Sequence, residues 1–186
     1  MWPFNRNSSK TDSHSEYIDC AQFLASERLR DLTPDEREEI KRAFGPLQKQ
    51  CYLSNHVDNI LGASAAATLC NLASGMTREV LELESDTDLK SDLATAGEAE
   101  TIKFRDETKA QQDRAIWLAR KATELYPHPV LFARLAKLLE AARRNDDANK
   151  VREIYDKLKA AWTPRYTDEL LMMELNPETP YSEKCE

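Results

Sequence analysis

The chain has 186 residues, of which 32% are charged and only 4 are glycine, and its formal net charge is −7. This length is enough for one good hydrophobic core or two small ones. Strands joined by tight hairpins need glycine or Asn-Gly turns, and the chain has no Asn-Gly pair and no long alternation of apolar and polar residues. The composition therefore excludes a β-sheet protein and predicts an all-α fold.

The cysteines and the apolar windows bear on the cellular compartment. The first residues contain no apolar run long enough for a signal peptide. The most apolar window, residues 57–76, is interrupted by Asp58 and by two asparagines, which makes it a poor membrane span. We therefore expect a cytoplasmic protein with no membrane span. The cysteines are irregularly spaced, which predicts free thiols rather than a disulfide framework: Cys20, Cys51, Cys70 and Cys185.

The first part of the chain is predicted to be helical after a disordered start. Residues 1–15 are polar and serine-rich, which is typical of a disordered segment. Residues 16–84 form the predicted N-terminal helical part, with a first helix over 16–32. A capping-box motif at Thr33–Glu36 then predicts the start of a second helix. Because proline disturbs a helix interior, Gly45-Pro46 predicts a kink or a break in that helix.

The next predicted helix, from His56 to Ser74, has almost no side-chain bulk over residues 62–68. Small residues let two helix backbones approach closely, so we expect a central and tightly packed helix. Thr77 is expected to cap a separate short helix that ends at Leu83. Residues 85–97 are polar and acidic, and we predict that they form an acidic linker or loop before the second half of the chain.

The second half, residues 98–175, is predicted to contain three longer helices and a short one. The first runs over 98–126, and its first half is charged and therefore expected to be exposed. Asp146-Asp147 is expected to form a turn, and residues 176–186 are expected to be a flexible acidic tail. The short helix is expected to cap the hairpin that precedes it, and the alternative is that it enters a groove of a partner. The helices after the first are predicted over 130–143, 150–162 and 170–175.

Two sets of residues in this half follow a pattern known from helical repeats. Small residues recur at helical spacing and a proline follows them: Ala115, Ala119, Ala122 and Pro127. A second set comes directly after: Phe132, Leu135, Ala136 and Leu139. In this pattern residues 98–162 resemble tetratricopeptide repeats, helical hairpins of about 34 residues that stack side by side. The resemblance implies antiparallel helical hairpins stacked in a short array over 98–175, and an irregular helical bundle is the alternative.

The resemblance also implies a binding surface. In such arrays the first helix of each hairpin lines a concave groove. The residues that would face a partner segment are Ala133, Lys137, Glu140 and Arg144. In this interpretation Lys137 and Arg144 would clamp an acidic segment or a terminal carboxylate. The alternative is that these side chains are solvated surface charges.

No constellation of residues predicts catalysis or the binding of a metal or cofactor. The histidines His14, His56 and His128 lie far apart, and none has a helical partner at four residues' spacing. No GxSxG motif, phosphate-binding glycine loop or dinucleotide fingerprint occurs. We therefore predict no catalytic residues, no metal and no cofactor.

Charge is distributed unevenly, which bears on partners. Residues 103–165 contain fifteen basic and nine acidic residues, whereas residues 79–100 and 168–186 are strongly acidic. The acidic flanks would oppose phosphate contacts, which disfavours nucleic acid as partner. The uneven charge is interpreted either as ordinary solubility patterning, or as a basic surface that docks an acidic partner or is shielded by the chain's own acidic flank. The sequence is interpreted as a non-enzymatic protein–protein interaction module, a scaffold, adaptor or chaperone that binds a partner segment on a helical groove. The alternatives are a structural helical subunit of a larger complex and, less favoured, an enzyme with an unrecognised site.

Overall fold

The computed structural model describes residues 20–51 and 57–175. Within these ranges the chain forms helices and no strand, which confirms the predicted all-α fold. The predicted disordered start and acidic tail lie outside them, and so does part of the first predicted helix. The helices are α1 (Cys20–Leu24), α2 (Pro34–Cys51), α3 (Val57–Ser85), α4 (Thr87–Ala96), α5 (Glu98–Leu125), α6 (Pro129–Ala141), α7 (Asn145–Ala161) and α8 (Tyr166–Glu174), with a short 3-10 helix at Glu27–Leu29.

Helix α3 lies at the centre of the fold and packs against α2, α5, α6 and α8. Its small residues are fully buried, since Ala63 and residues 65–67 are 0% exposed. Small side chains let neighbouring backbones come close: a Cβ added at Gly62 would lie 3.3 Å from the carbonyl oxygen of Leu125 in α5. The predicted central and tightly packed helix is confirmed.

Helices α3 and α5 run antiparallel. Gly62 lies beside Leu125 where α5 ends, and further along α3 the Gln111 side chain donates a hydrogen bond to the Glu79 carboxylate (Nε2–Oε2 2.9 Å). The first half of α5 is largely exposed, as predicted, with Ile102 open to solvent. The core therefore lies between the middle of α3 and the second half of α5.

Helix α3 continues to Ser85, so the prediction of a separate short helix starting at Thr77 is wrong. The hydroxyls of Ser74 and Thr77 donate hydrogen bonds to the carbonyls of Cys70 and Ala73, one turn earlier, at 2.9 Å each. Ser and Thr side chains can bond either an earlier carbonyl inside a helix or the N–H groups of a new one. Here they do the former, and the helix is not interrupted.

Helix α2 begins as the sequence predicts, because the Thr33 hydroxyl accepts from the Glu36 N–H (3.3 Å) and the Glu36 carboxylate accepts from the Thr33 N–H (2.8 Å). The predicted break is wrong, since the helix runs through Gly45 and Pro46. Both residues are exposed. Water on that side can bond the carbonyl of Arg42, which proline leaves without a helical donor.

Residues 85–97 contain α4, so the prediction of a loop there is wrong, and a role as an acidic linker stays a prediction. Asp86 caps this helix by accepting hydrogen bonds from the N–H groups of Asp88 (2.9 Å) and Leu89 (3.1 Å). Gly97 has φ +103°, a conformation that suits glycine, and it separates α4 from α5. The Asp86 cap and Gly97 thus mark the two ends of a helix in a stretch whose composition alone resembles a loop.

Helix α6 packs against both α5 and α7, so these three helices lie side by side as predicted. Ala119 of α5 and Ala136 of α6 are each 2% exposed. The prediction of a turn at Asp146-Asp147 is wrong, because α7 already begins at Asn145. Carboxylates in the first turn are stabilised by the helix dipole, and the chain turns instead at Arg143, whose φ is 58°.

Helix α8 packs on α3, which contradicts the prediction that it caps the α6–α7 hairpin. Its residue Leu171, together with Leu175 just after it, belongs to the main core. Helix α3 is apolar around most of its circumference, so it offers a second face that an edge helix can bury. Because α8 packs on α3 and not on α7, helix α7 packs mainly on α6, and Ala148 is the buried residue of α7.

Candidate functional site

A groove lies between α2 and α3, and the end of α8 closes one side of it. Its volume is about 710 Å³. Ala43 and Pro46 line it from α2, and Leu72 and Met76 line it from α3, so that its floor is apolar. Charged side chains stand at its margin: Glu39, Arg42, Glu79 and Glu174. An apolar floor with a few polar groups at the edge is the usual character of a binding site for a ligand or a peptide.

The α3 residues that line this groove lie on one face of the helix. Residues three, four or seven positions apart share a helix face, and Thr68, Leu72, Gly75, Met76 and Glu79 follow that spacing along α3. A Cβ added at Gly75 would meet no atom within 4 Å. Packing therefore does not require glycine here, and the missing side chain leaves the groove open.

Glu174 lies at the α8 end of the groove and is held there by its backbone. The Asn71 side chain donates a hydrogen bond from Nδ2 to the Glu174 carbonyl oxygen (2.8 Å). The Glu174 Oε2 atom is buried and has no hydrogen-bond partner among the residues that the structure describes. Burial raises the pKa of this carboxyl, and the Ser64 hydroxyl, which is not in hydrogen-bonding geometry with it, only partly offsets the rise.

The other charges at the margin have partners. The Glu39 carboxylate forms an ion pair with Arg42 one turn later (2.6 Å), and Glu79 accepts the hydrogen bond from Gln111 of α5. The margin thus carries three carboxylates against one guanidinium. Because these groups surround an apolar floor, the groove combines hydrophobic surface with an excess of negative charge.

A second cluster, the α8 anchor, holds the beginning of α8 and consists of Tyr126, His128, Trp162, Arg165 and Asp168. The Asp168 carboxylate accepts hydrogen bonds from the Tyr126 hydroxyl (2.6 Å), the Trp162 Nε1–H (3.1 Å) and the Arg165 N–H (2.7 Å). The Arg165 guanidinium lies 4.7 Å from the centre of the Trp162 ring. These contacts join α8 to the turn between α5 and α6.

Tyrosine, histidine and aspartate side chains of this kind also occur in catalytic sites, but the α8 anchor uses them internally. The His128 Nδ1 atom accepts the N–H of Val130 and so caps α6 (3.2 Å). Burial lowers the pKa of His128. Burial alone would raise the pKa of Asp168, but its hydrogen bonds hold that pKa below the usual value. The arrangement favours a neutral histidine and a charged aspartate, which suits a fixed contact between helices.

The structure places the predicted partner-binding residues on α6 and just after it, away from the groove. Ala133 and Lys137 are half-buried on α6. Glu140 forms an ion pair with Arg152 of α7. Arg144 bonds the Asp147 carboxylate (2.6 Å) and lies 3.6 Å from the Asp113 carboxylate of α5. At least two of the four side chains therefore bridge helices of this chain, and the partner-binding role of all four stays a prediction.

The sequence analysis did not identify the groove. The spacing of Leu72, Gly75 and Met76 was present as a signal, because a glycine between two apolar residues on one face marks a shallow place in a helix surface. The α2 side was not detectable in the same way, since Pro46 was interpreted only as a helix breaker. The tertiary structure brings these two helix faces together.

Residues in the described part of the chain also bear on cysteine chemistry, metal binding and membrane insertion. Cys70 is 1% exposed, and burial raises the pKa of its thiol, which makes it a poor nucleophile. In residues 20–51 and 57–175 no group of three His, Cys, Asp or Glu residues is placed to hold a metal ion. Over Asn59–Ser85, α3 is long and apolar enough to cross a membrane, but 72% of its most apolar window is buried inside the fold, as in an ordinary core helix.

Comparison with known proteins adds no relative. The chain matches no protein-family model, no curated protein and no solved structure. The resemblance to tetratricopeptide repeats stays a prediction, and a functional proposal has to rest on the geometry of the described residues.

Proposed function

We propose that this protein is a non-enzymatic interaction module, a scaffold, adaptor or chaperone of the cytoplasm, that binds a helical segment of a partner protein in the groove between α2 and α3. The observation that carries the proposal is the open space beside Gly75, above a floor formed by Leu72 and Met76. Helix-in-groove binding uses apolar side chains spaced three or four residues apart as anchors.

The size and composition of the groove suit such anchors. A volume of about 710 Å³ accommodates several apolar side chains. Burying each of them contributes about 2 kcal/mol before the cost of association. The flexible side chain of Met76 can adapt to anchors of different shape. Three anchors would support binding of moderate strength, as expected for an adaptor.

The tetratricopeptide-like interpretation supplies a second possible surface at Ala133, Lys137, Glu140 and Arg144. The groove is favoured because Glu140 and Arg144 already form ion pairs within the chain. A partner that used them would first have to break those pairs. Proteins with stacked helical hairpins commonly bind peptides, so the resemblance fits the same class of function without fixing the site.

A structural subunit of a larger complex is the alternative, and one observation favours it. Large apolar side chains are exposed on the two helices nearest the C-terminal end: Ile154 of α7 is 48% exposed and Met173 of α8 is 83% exposed. Apolar surface of this kind can mark contacts with a neighbouring subunit. A subunit of this type would aggregate or self-associate when isolated, whereas an adaptor would be a stable monomer.

The test replaces Gly75 by leucine, which directs a side chain into the groove from a position where a Cβ has open space. Gly45→Leu is the matched control, because Gly45 also lies in a helix with open space around its Cβ but does not line the groove. We expect Gly75→Leu to abolish capture of the partner from native lysate, while Gly45→Leu retains it and neither variant melts below the wild type, because leucine is a better helix former than glycine. Equal capture by both variants would contradict the proposal.

A further inference from the structure

The acidic groups of the groove stand on three sides of its apolar floor. Glu39 lies at the α2 side, Glu79 on α3, and Glu174 at the end of α8. Among the described residues, Arg42 is the one basic group that lines the groove, and it is paired with Glu39. An incoming apolar segment would therefore meet a neutral ion pair at the α2 margin, and carboxylates without a cationic partner, in the part that the structure describes, at the α3 margin and at the α8 end.

Glu174 gives this charge a specific acceptor. Its buried Oε2 atom has no hydrogen-bond partner within the described part of the chain. A buried acceptor without a donor is costly. Glu174 lines the groove, and a charged donor that reached its carboxylate from there would form a stronger bond than a neutral one. The raised pKa of Glu174 agrees with a carboxyl that lacks a compensating cation.

Resting on the proposed function above, we infer that the occupant of the groove is a basic amphipathic helix, with lysine or arginine at the margins of its apolar stripe. The apolar stripe would cover Leu72 and Met76, and the basic side chains would reach Glu79 on one side and Glu174 at the end. Lysine and arginine have long apolar stems, so they can lie along such a margin while their charged heads reach the carboxylates.

The length of the groove agrees with a short helix. Its lining residues on α3 run from Thr68 to Glu79, which is about 16 Å at 1.5 Å per residue. A partner helix of about three turns spans this distance. Such a helix presents anchors at i, i+3, i+4 and i+7, with room for basic residues on both sides of the stripe.

The experiment uses the full chain and three synthetic helical peptides of about 14 residues, roughly four turns. All three carry the same leucine stripe, and the flanking positions are lysine, glutamine or glutamate. Isothermal titration calorimetry at low and high salt measures their affinities. We expect the lysine peptide to bind about tenfold more tightly than the glutamine peptide, because charge-assisted bonds are stronger, and the glutamate peptide to bind most weakly. The difference in affinity between the lysine and glutamine peptides should become smaller at high salt.

Two matched variants test whether the preference for the lysine peptide depends on a carboxylate of the groove. Glu79→Gln keeps the size of the side chain and should weaken binding of the lysine peptide severalfold while leaving the glutamine peptide unchanged. Glu153→Gln on α7 removes an equal charge from an exposed position that does not line the groove, so it should change neither affinity. If both variants weakened binding equally, the preference would reflect the overall charge of the protein, and the inference would be wrong.

The outcomes separate this inference from the proposed function. Equal binding of all three peptides, blocked by Gly75→Leu, would overturn the basic character of the occupant and leave the groove as a binding site. A second result would lead to the same conclusion: no peptide binds, but the wild-type protein captures a partner from lysate and Gly75→Leu abolishes that capture. The basic character of the occupant would again be overturned, and the groove would remain a binding site. Capture that Gly75→Leu does not affect would instead contradict the proposed function.

Two other occupants of the groove, a second copy of the chain and the first residues of the same chain, would give different experimental results. A second copy of the chain would appear as a concentration-dependent dimer in analytical ultracentrifugation, and Glu79→Gln would dissociate it. If residues 1–15 of the same chain occupied the groove, they would compete with the peptides, and deleting them would strengthen peptide binding. Either result would overturn the inference of a separate basic partner.

Discussion

Helices α3 and α7 show two different uses of an apolar stripe. Helix α3 has neighbours on several sides, and its buried residues extend from Ile60 to Val80. Helix α7 packs mainly on α6 and leaves Ile154 largely exposed. The small residues of α3 let several helices approach it, whereas the far side of α7 carries charges that remain in water. Side-chain size, as well as hydrophobicity, therefore separates the centre of this fold from its edge.

The largest expected effect contrasts two aliphatic truncations. Leu69 of α3 is fully buried, so Leu69→Ala should lower the free energy of unfolding by about 3 kcal/mol through lost burial and a cavity. Ile154→Ala on α7 should cost less than about 1 kcal/mol, because the side chain is already half in solvent. Urea denaturation of both variants measures the difference. Similar losses would mean that α7 is as deeply embedded as α3.

The second prediction concerns the α8 anchor, which joins the α3 side of the molecule to the α5–α6 turn. Burial lowers the pKa of His128 in the folded state, so the unfolded chain takes up the proton first. The contribution of His128 to stability is therefore complete above its ordinary pKa of 6.5 and declines as the pH falls below it. The lowered pKa of Asp168 acts in the same direction, but only below its ordinary value of 3.8.

His128→Asn tests this contribution, because asparagine can still cap α6. Urea unfolding at pH 7 and pH 5 should show a smaller loss of stability on acidification for the variant than for the wild type. Glu174 acts with the opposite sign, since its raised pKa means that protonation relieves a cost in the folded state. The comparison of variant and wild type cancels that contribution. An unchanged pH dependence would show that His128 is not buried as a neutral ring.

The smallest expected effect compares two glycines of α3. Alanine is favoured over glycine in a helix by about 1 kcal/mol, and a Cβ at Gly75 meets no atom within 4 Å. Gly75→Ala should therefore stabilise the protein by up to about 1 kcal/mol. At Gly62 the new Cβ would lie 3.3 Å from the Leu125 carbonyl oxygen, and the gain should be smaller or reversed. Thermal unfolding of the two variants distinguishes the groove side of α3 from its enclosed side.

Local signals account for what could be predicted from the sequence. The capping box at Thr33–Glu36 formed as expected, because its hydrogen bonds join residues only three positions apart. The contact of Ala119 and Ala136 with the core followed from small residues at helical spacing. The acidic stretch 85–97 was predicted incorrectly because its composition resembles a loop, while the Asp86 cap, also a local signal, was overlooked.

The sequence by itself determined the all-α fold, the beginning of α2, the limits of α5 and α6 to within two residues and the tight packing of α3, since periodicity, caps and small side chains act over a few residues. Only the tertiary structure decided where α8 lies, and with it the groove. The hydrogen bond that holds Glu174 joins it to Asn71, which is 103 residues earlier in the chain. Contacts over such distances depend on which helix faces remain uncovered after the core has formed. For that reason the binding surface proposed here is a property of the assembled helices.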